Sequence, residues 1–347
     1  MIKTEALYFT GPRKAEVREI TIDPPGPGQV LVESIVSGIS AGTEMNVYRG
    51  LAPQWRKRMD PATRLFVDTD QPDWQYPARY GYACVGHVRA LGADVTVLRE
   101  GELVFCYAPH GRHAVVGEHQ AVPLAGLTQP ELGVFFANLS TALNGVLDGR
   151  PPIGAEVAVM GLGVIGQLVV RLLALAGART IVAIDGIAGR RDLAVSGGAT
   201  HALDPTNEDV AKAVRDLTNG RGADMVFEVS GAAPALNEAI RTVGYNGTVI
   251  AMSWYGGSFE SLSLAGEFHH NRVKVVCSQV ATVNPELGPL WTVERRSALV
   301  RDYLGTLDLA TLISHRVPFA KAPEAYDLVD RRGAEAMQVL LTYGETT

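Results

Sequence analysis

Over the first part of the chain, to about position 123, apolar and polar residues alternate in short runs broken by Gly and Pro: ALYF, GQVLVESIVSGIS, GHVRALGADVTVL, GELVFCYA and HAVV. A period of two, punctuated by turn residues, predicts β-strands in a partly closed sheet. Between positions 48 and 80 this pattern gives way to aromatic and charged residues, GLAPQWRKRMDPATRLF and QPDWQYPARY, too polar for a core strand. That segment predicts a loop with one short helix. From about 124 the pattern changes again. EVAVM, TIVAID, HALD, ADMVFEVSG, GTVIAM and VKVVCSQV are compact apolar runs, and helices are predicted between them over 164–175, 190–196, 209–217 and 233–243. Strands alternating with helices of this length predict a doubly wound parallel sheet. The last segment, HRVPFAKAPEAYDLVDRRGAEAMQVLLTY, reads as strand, helix, strand and is expected to rejoin the first domain. The expected organisation is therefore 1–123, an inserted 124–278, and 279–347 returning. GTVIAM or VKVVCSQV is expected at the sheet edge, covered by a second copy in a homodimer or homotetramer.

Composition bounds the possible functions. A chain of 347 residues with 47% hydrophobic and 20% charged content can fill two cores. No apolar run approaches the roughly 20 residues that cross a bilayer, and the N-terminus MIKTEALYFTGPRKAEVRE has no apolar stretch of a signal peptide, so a cytoplasmic protein with no membrane partner is expected. The net charge of −6 argues against nucleic acid and for a small-molecule substrate. Cys84, Cys106 and Cys277 form no CxxC pair, which leaves no disulfide framework and no four-cysteine zinc lobe.

The strand EVAVM runs into Gly161-Leu162-Gly163-Val164-Ile165-Gly166 and then into an apolar helix. In that context the glycines serve a tight turn, close approach of a pyrophosphate and helix–strand packing, and the helix N-terminus attracts phosphate. Asp185 ends the next strand about 20 residues on, where an acid accepts hydrogen bonds from a ribose; a helix N-cap is its other reading. Its carboxylate favours NAD over NADP, while Arg190 and Arg191 beside it are placed either to meet a 2′-phosphate or to lie on a solvated helix face. Ser230 and Ser253, at the ends of later strands, complete the candidate cofactor set.

With these residues in view, the chain resembles the medium-chain dehydrogenase/reductase superfamily over nearly its whole length. GYACVGHVRALGADV follows the frame GHExxGxVxxxGxxV at Gly81, Gly86, Val88, Gly92 and Val95, and LSTALNGV, GADMVFEVSG and HRVPFAKAPEAY resemble later family segments. The resemblance implies an α/β protein: a Rossmann doubly wound parallel sheet inserted into a GroES-like, mostly β catalytic domain. Zinc-dependent members hold their metal with a Cys, the His of GHE and a third Cys or acid. The matching positions here look like Ser40, Tyr82 and Ala137 or Asn138, and hydroxyls, a methyl and an amide are not zinc donors. Glu44 and His87 are the nearest acid and imidazole, and two ligands on separate segments do not make a site. SGISAGTE more narrowly resembles the zinc-lacking branch that includes bacteriochlorophyllide-type dehydrogenases. No zinc is expected.

The resemblance thus implies an NAD-dependent oxidoreductase moving a hydride between the nicotinamide and a secondary alcohol or ketone of a small polar metabolite. Its candidate catalytic set is Tyr82 at the vacated ligand position, Ser40 and Thr43 facing it, Glu44 or His110 relaying the proton, and Asn138. A tyrosine with its ordinary pKa of about 10 is a poor base, so a cation beside it is required, the candidates being Arg79 and the nicotinamide of NAD⁺. The opposing readings are that Tyr82 fills the zinc cavity, that Ser40 and Thr43 satisfy a turn, and that His110 lies in a surface loop. Two other functions stay open: 1,4-reduction of an activated alkene, and cofactor binding without turnover. Trp55, Arg56, Lys57, Arg58, Trp74 and Tyr76 either recognise a planar or anionic substrate or form a solvated lid face.

Overall fold

A computed structural model describes residues 1–256 and 262–344. The chain divides into two compact units, residues 1–137 with 309–347, and residues 138–308. These boundaries differ from the expected 123/124 and 278/279. The helix Phe135–Gly149 spans the first, and the helix Val293–Thr306 falls wholly in the second unit. No helix among the described residues is long and apolar enough to cross a membrane.

In the first unit, Gln29–Ile39 is the strand on which the sheet is built. It pairs antiparallel with Cys84–Leu91, His113–Gly117 and, from the other end of the chain, Gln338–Thr342. The order continues outward through Leu103–Cys106 and Ala121–Pro123 on one side and Ile313–Pro318 on the other. Val30, Val32, Val88, Val104, Cys84 and Cys106 are buried together, so both cysteines of this unit are core residues. An N-terminal hairpin, Ile2–Gly11 with Lys14–Ile22, forms a separate ribbon. The GHVRALGADVTVL run is a strand only to Leu91. A side chain at Gly92 would meet the Gly26 carbonyl at 1.9 Å, so the chain turns there. Positions 48–80 carry more structure than expected: a 3-10 turn at Pro53–Trp55 and a small hairpin, Lys57–Met59 with Phe66–Asp68.

The second unit is a six-stranded parallel sheet. Its order is His201–Leu203, Thr180–Ile184, Glu156–Met160, Ala223–Glu228, Val243–Ala251 and Lys274–Cys277. Glu156–Met160 and Thr180–Ile184 are buried at every position, as central parallel strands covered on both faces require. The helices Val164–Leu175, Ala188–Ser196, Val210–Leu217 and Ala233–Thr242 connect them, the third capped by Asp209 accepting from the Lys212 N–H. Of the two segments expected at the edge, one is there. GTVIAM is not an edge: its strand pairs on both sides, and Lys274–Cys277 takes the edge with Val275 exposed. Strand order in a parallel sheet is set by the crossovers, which the apolar pattern does not encode.

Candidate functional site

The candidate cofactor residues of the second unit gather at the point where strand order reverses, between Glu156–Met160 and Ala223–Glu228. Gly161 has φ +91, and a Cβ there would meet the Ser230 backbone at 2.7 Å; a Cβ on Gly166 would lie 1.9 Å from the Gly161 carbonyl oxygen. Both positions require glycine. A Cβ on Gly163, by contrast, would meet nothing within 4 Å, so this turn leaves open space before the N-terminus of Val164–Leu175. Backbone N–H groups at a helix N-terminus beside open space fit a dinucleotide pyrophosphate.

Asp185 holds two backbone N–H groups. Its Oδ2 accepts from the Leu162 N–H at 2.8 Å and its Oδ1 from the Ile187 N–H at 2.9 Å, tying the glycine turn to the second strand. The Arg190 guanidinium lies 3.8 Å from the same carboxylate, and Arg191 pairs with Asp204 at 3.2 Å. Ser230 is held by Glu228, a wholly buried carboxylate that takes the Ser230 N–H and hydroxyl on Oε1 and the Tyr255 hydroxyl on Oε2. Burial and the Glu228 charge push the Tyr255 hydroxyl far above the ordinary tyrosine range. Ser253 lies on the segment after Val243–Ala251, close to Gly231.

The first unit assembles the remaining candidates. Ser40 follows the strand Gln29–Ile39, Thr43 and Glu44 open the helix Thr43–Tyr48, Tyr82 precedes the strand Cys84–Leu91, and His110 precedes His113–Gly117. The side chains of Ser40 and Thr43 both hydrogen-bond to the Tyr82 hydroxyl. Burial and, next, the Glu44 charge push that hydroxyl far above the ordinary tyrosine range, against which these two hydrogen bonds act. Tyr80 is pushed up to about 12 by burial and by Glu44.

Glu44 and His110 are wholly buried, so His110 is not a surface-loop residue. Glu44 Oε1 accepts from the Ser40 N–H at 3.0 Å, and Oε2 accepts from the Tyr326 hydroxyl and lies 3.0 Å from His110 Nε2. His110 Nδ1 is 2.7 Å from Ser37 Oγ, which is 2.9 Å from the Tyr343 hydroxyl. The arrangement that gives every group a partner runs one way: Tyr343 donates to Ser37, Ser37 to Nδ1, and Nε2–H to the carboxylate. The imidazole also presses on Gly81, φ +117, where a Cβ would lie 2.5 Å from His110 Cδ2; this glycine turns the chain into Tyr82. Ser37, Tyr326 and Tyr343 were not among the candidates. They come from a strand interior and from the far end of the chain, and no local motif marks them.

Four half-buried rings continue from Tyr82. Tyr82 meets Tyr80 edge-on with centroids 6.3 Å apart, Tyr80 meets Trp74 at 5.4 Å, Trp74 meets Trp55 at 5.5 Å, and Trp55 stacks on Tyr76 at 4.0 Å. Asn138 belongs to the other unit, where it is buried on the helix Phe135–Gly149. His87 Nδ1 is 3.1 Å from the Gly101 carbonyl, and His269 and His270 lie on the short helix Glu267–His270.

A family model described as zinc-binding dehydrogenase matches residues 164–289. The D-guloside 3-dehydrogenase of Escherichia coli (strain K12) is 29% identical, over 97% of this chain and 99% of its own length. The chain is thus similar to dehydrogenases, by a family model over part of its length and by a relative over nearly all of it. Two solved structures share its fold. A candidate zinc-binding dehydrogenase of Sinorhizobium meliloti 1021 bound to NADP has TM-score 0.80 and 23% identity, covering 99% of this chain and 100% of its own. An alcohol dehydrogenase of E. coli CFT073 complexed with NADH has TM-score 0.79 and 19% identity, covering 98% and 99%.

The zinc-binding description of that family model puts the donor set to the test. The matched residues 164–289 contain none of positions 40, 82, 137 or 138. Among the described residues, no three His, Cys, Asp or Glu side chains converge as a metal-holding group. Ser40, Thr43 and Tyr82 hold one another as hydroxyls, and the nearby acid and imidazole, Glu44 and His110, hold each other. These donors do not fit a catalytic zinc.

Proposed function

We propose that this chain is an NAD(P)-linked oxidoreductase moving a hydride between NAD(H) and a secondary alcohol or ketone of a small polar metabolite, with the Tyr82 hydroxyl in place of a zinc ion. The observation that carries the reading is Tyr82 itself: its hydroxyl is hydrogen-bonded by Ser40 and Thr43 and kept protonated by burial and by Glu44. When bound, the dinucleotide donates or accepts the hydride. The chain supplies the rest. A neutral phenol donates a hydrogen bond to a carbonyl oxygen, polarises it, and passes its proton to that oxygen as negative charge develops there. Ser40 and Thr43 orient the hydroxyl. Because its pKa is raised rather than lowered, Tyr82 serves as an acid, and the site suits ketone reduction. A base assisted by Arg79 does not describe this geometry, since Glu44 is the charge that acts most strongly on Tyr82.

The relative named D-guloside 3-dehydrogenase, and the NADH and NADP in the two structures of this fold, support a hydroxylated metabolite and a nicotinamide dinucleotide. Gly161, Gly163, Gly166 and Asp185 would hold the dinucleotide, with the Asp185 carboxylate favouring NAD.

The test joins metal content to kinetics. Protein purified without chelators or added metal should contain almost no zinc by elemental mass spectrometry. Tyr82→Phe should lower kcat by roughly 10²- to 10⁴-fold with NADH affinity unchanged. One zinc per chain, or unchanged turnover in Tyr82→Phe, would overturn the reading. Tight NADH binding without turnover on alcohols, ketones or enones would mark the chain as a binding protein.

A further inference from the structure

Arg79 faces away from the role expected of it. It lines a cavity of about 460 Å³ within the first unit, together with His113, Tyr107, Gln29, Gln120 and Asp23. None of Ser40, Thr43, Glu44 or Tyr82 lines this cavity. Its volume lies in the range of small-molecule sites.

Arg79 stands apart in its charge balance. Among the described residues of this unit, the other half-buried arginines each hold a carboxylate: Arg18 with Glu16, Arg49 with Asp330 at 2.5 Å, and Arg112 with Glu5 at 2.9 Å. Arg79 holds none, and its Nε is buried with no acceptor. A guanidinium is always charged, and its planar fork of donors matches the two oxygens of a carboxylate or phosphate. Withdrawing it from water without an anion is unfavourable, and an anion in the cavity removes that cost.

We propose that the Arg79 cavity is a second ligand site, distinct from the Tyr82 site, for small molecules that carry a carboxylate. His113 offers a second polar contact: its Nδ1 is 3.0 Å from Thr4 Oγ1, which leaves Nε2 for a ligand. Tyr107, 44% exposed, supplies an apolar wall for the ligand's body. Asp23 is the acid among the lining residues. It lies beyond ion-pair distance of Arg79, so it leaves the guanidinium unneutralised while disfavouring multiply charged anions. That sign pattern selects a monoanion such as a carboxylate over a phosphate dianion.

Isothermal titration calorimetry on the full chain, saturated with NADH, tests this with three probes: benzoate, its neutral isostere benzamide, and inorganic phosphate. Benzoate should bind saturably and more tightly than either of the others. Arg79→Met should weaken benzoate by about tenfold or more, to the level of benzamide. Asp23→Asn should narrow the gap between phosphate and benzoate, a gain that a misfolded variant does not produce. Tyr82→Phe should leave benzoate affinity unchanged, which separates this site from the proposed catalytic one. Equal binding of benzamide, undiminished binding in Arg79→Met, or loss of benzoate in Tyr82→Phe would overturn the proposal. Phosphate binding more tightly than benzoate would overturn the carboxylate assignment.

Discussion

His110 Nε2 lies 3.0 Å from Glu44 Oε2, and neither side chain reaches solvent. The carboxylate also takes the Ser40 N–H and the Tyr326 hydroxyl, so three donors occupy it. A carboxylate held in this way is fixed in place, and it acts on Tyr82 through its field and through the turn that carries Ser40 and Thr43. Glu44 is therefore a positioning residue in the proposed mechanism.

Replacing that charge should move a pH profile. Tyr82 donates only while protonated, so ketone reduction falls as pH rises through its pKa. Burial and Glu44 raise that pKa, which places the fall above the ordinary tyrosine value of about 10. Glu44→Gln removes the negative charge with little change in shape, and the alkaline limb should shift to lower pH. A limb left in place while kcat drops would mean that Glu44 supports the fold alone.

The ring series from Tyr82 to Tyr76 predicts a split between KM and kcat. If the carbonyl sits at Tyr82, the adjoining Tyr80 and Trp74 are the next surfaces available to the body of the substrate. Trp74→Ala should raise KM for ring-bearing ketones by about tenfold, on the scale of a lost aromatic contact, and leave kcat for small acyclic ketones near its starting value. An equal rise in KM for both classes would assign these rings to the packing of their own loop.

Much of this was legible because it is local. The helix over 164–175 follows from a glycine turn, an apolar stripe and a strand before it, and all of those signals lie within a few residues of one another. The Tyr82, Ser40 and Thr43 grouping followed from a family frame that places their segments side by side. His110 was ambiguous because FCYAPHGRH has no period, and its two partners, Glu44 and Ser37, lie 66 and 73 residues away. Tyr326 is read easily as part of a helix, yet nothing in APEAYDLVDR announces a hydroxyl aimed at a carboxylate 282 residues earlier. The helix Val293–Thr306 is silent in the sequence for a different reason: its buried positions are Arg296, Val300 and Leu304, too thin a stripe to stand out. The charge imbalance at Arg79 depends on which acids reach it, and only coordinates decide that.

The glycine turn predicts a stability effect separable from chemistry. A Cβ at position 166 would sit 1.9 Å from the Gly161 carbonyl oxygen, a backbone atom that cannot rotate away. Gly166→Ala should therefore cost about 1–3 kcal/mol, as overpacking does, and should weaken NADH binding by displacing the turn. Urea unfolding and NADH titration would check both effects. Wild-type values for the two would refute the close packing.

Asp185 has two tasks that one substitution separates. Its carboxylate holds the Leu162 and Ile187 N–H groups and presents negative charge where the adenosine ribose is expected, with Arg190 3.8 Å away. Asp185→Asn keeps one acceptor oxygen for the turn and removes the charge that opposes a 2′-phosphate. NADH should bind more weakly, because one N–H of the turn loses its acceptor, while NADPH loses its repulsion and gains a less neutralised Arg190. The ratio of the two dissociation constants should move toward NADPH by about tenfold. Parallel weakening of both cofactors would mean that Asp185 serves the turn alone, and the preference for NAD would then need another source.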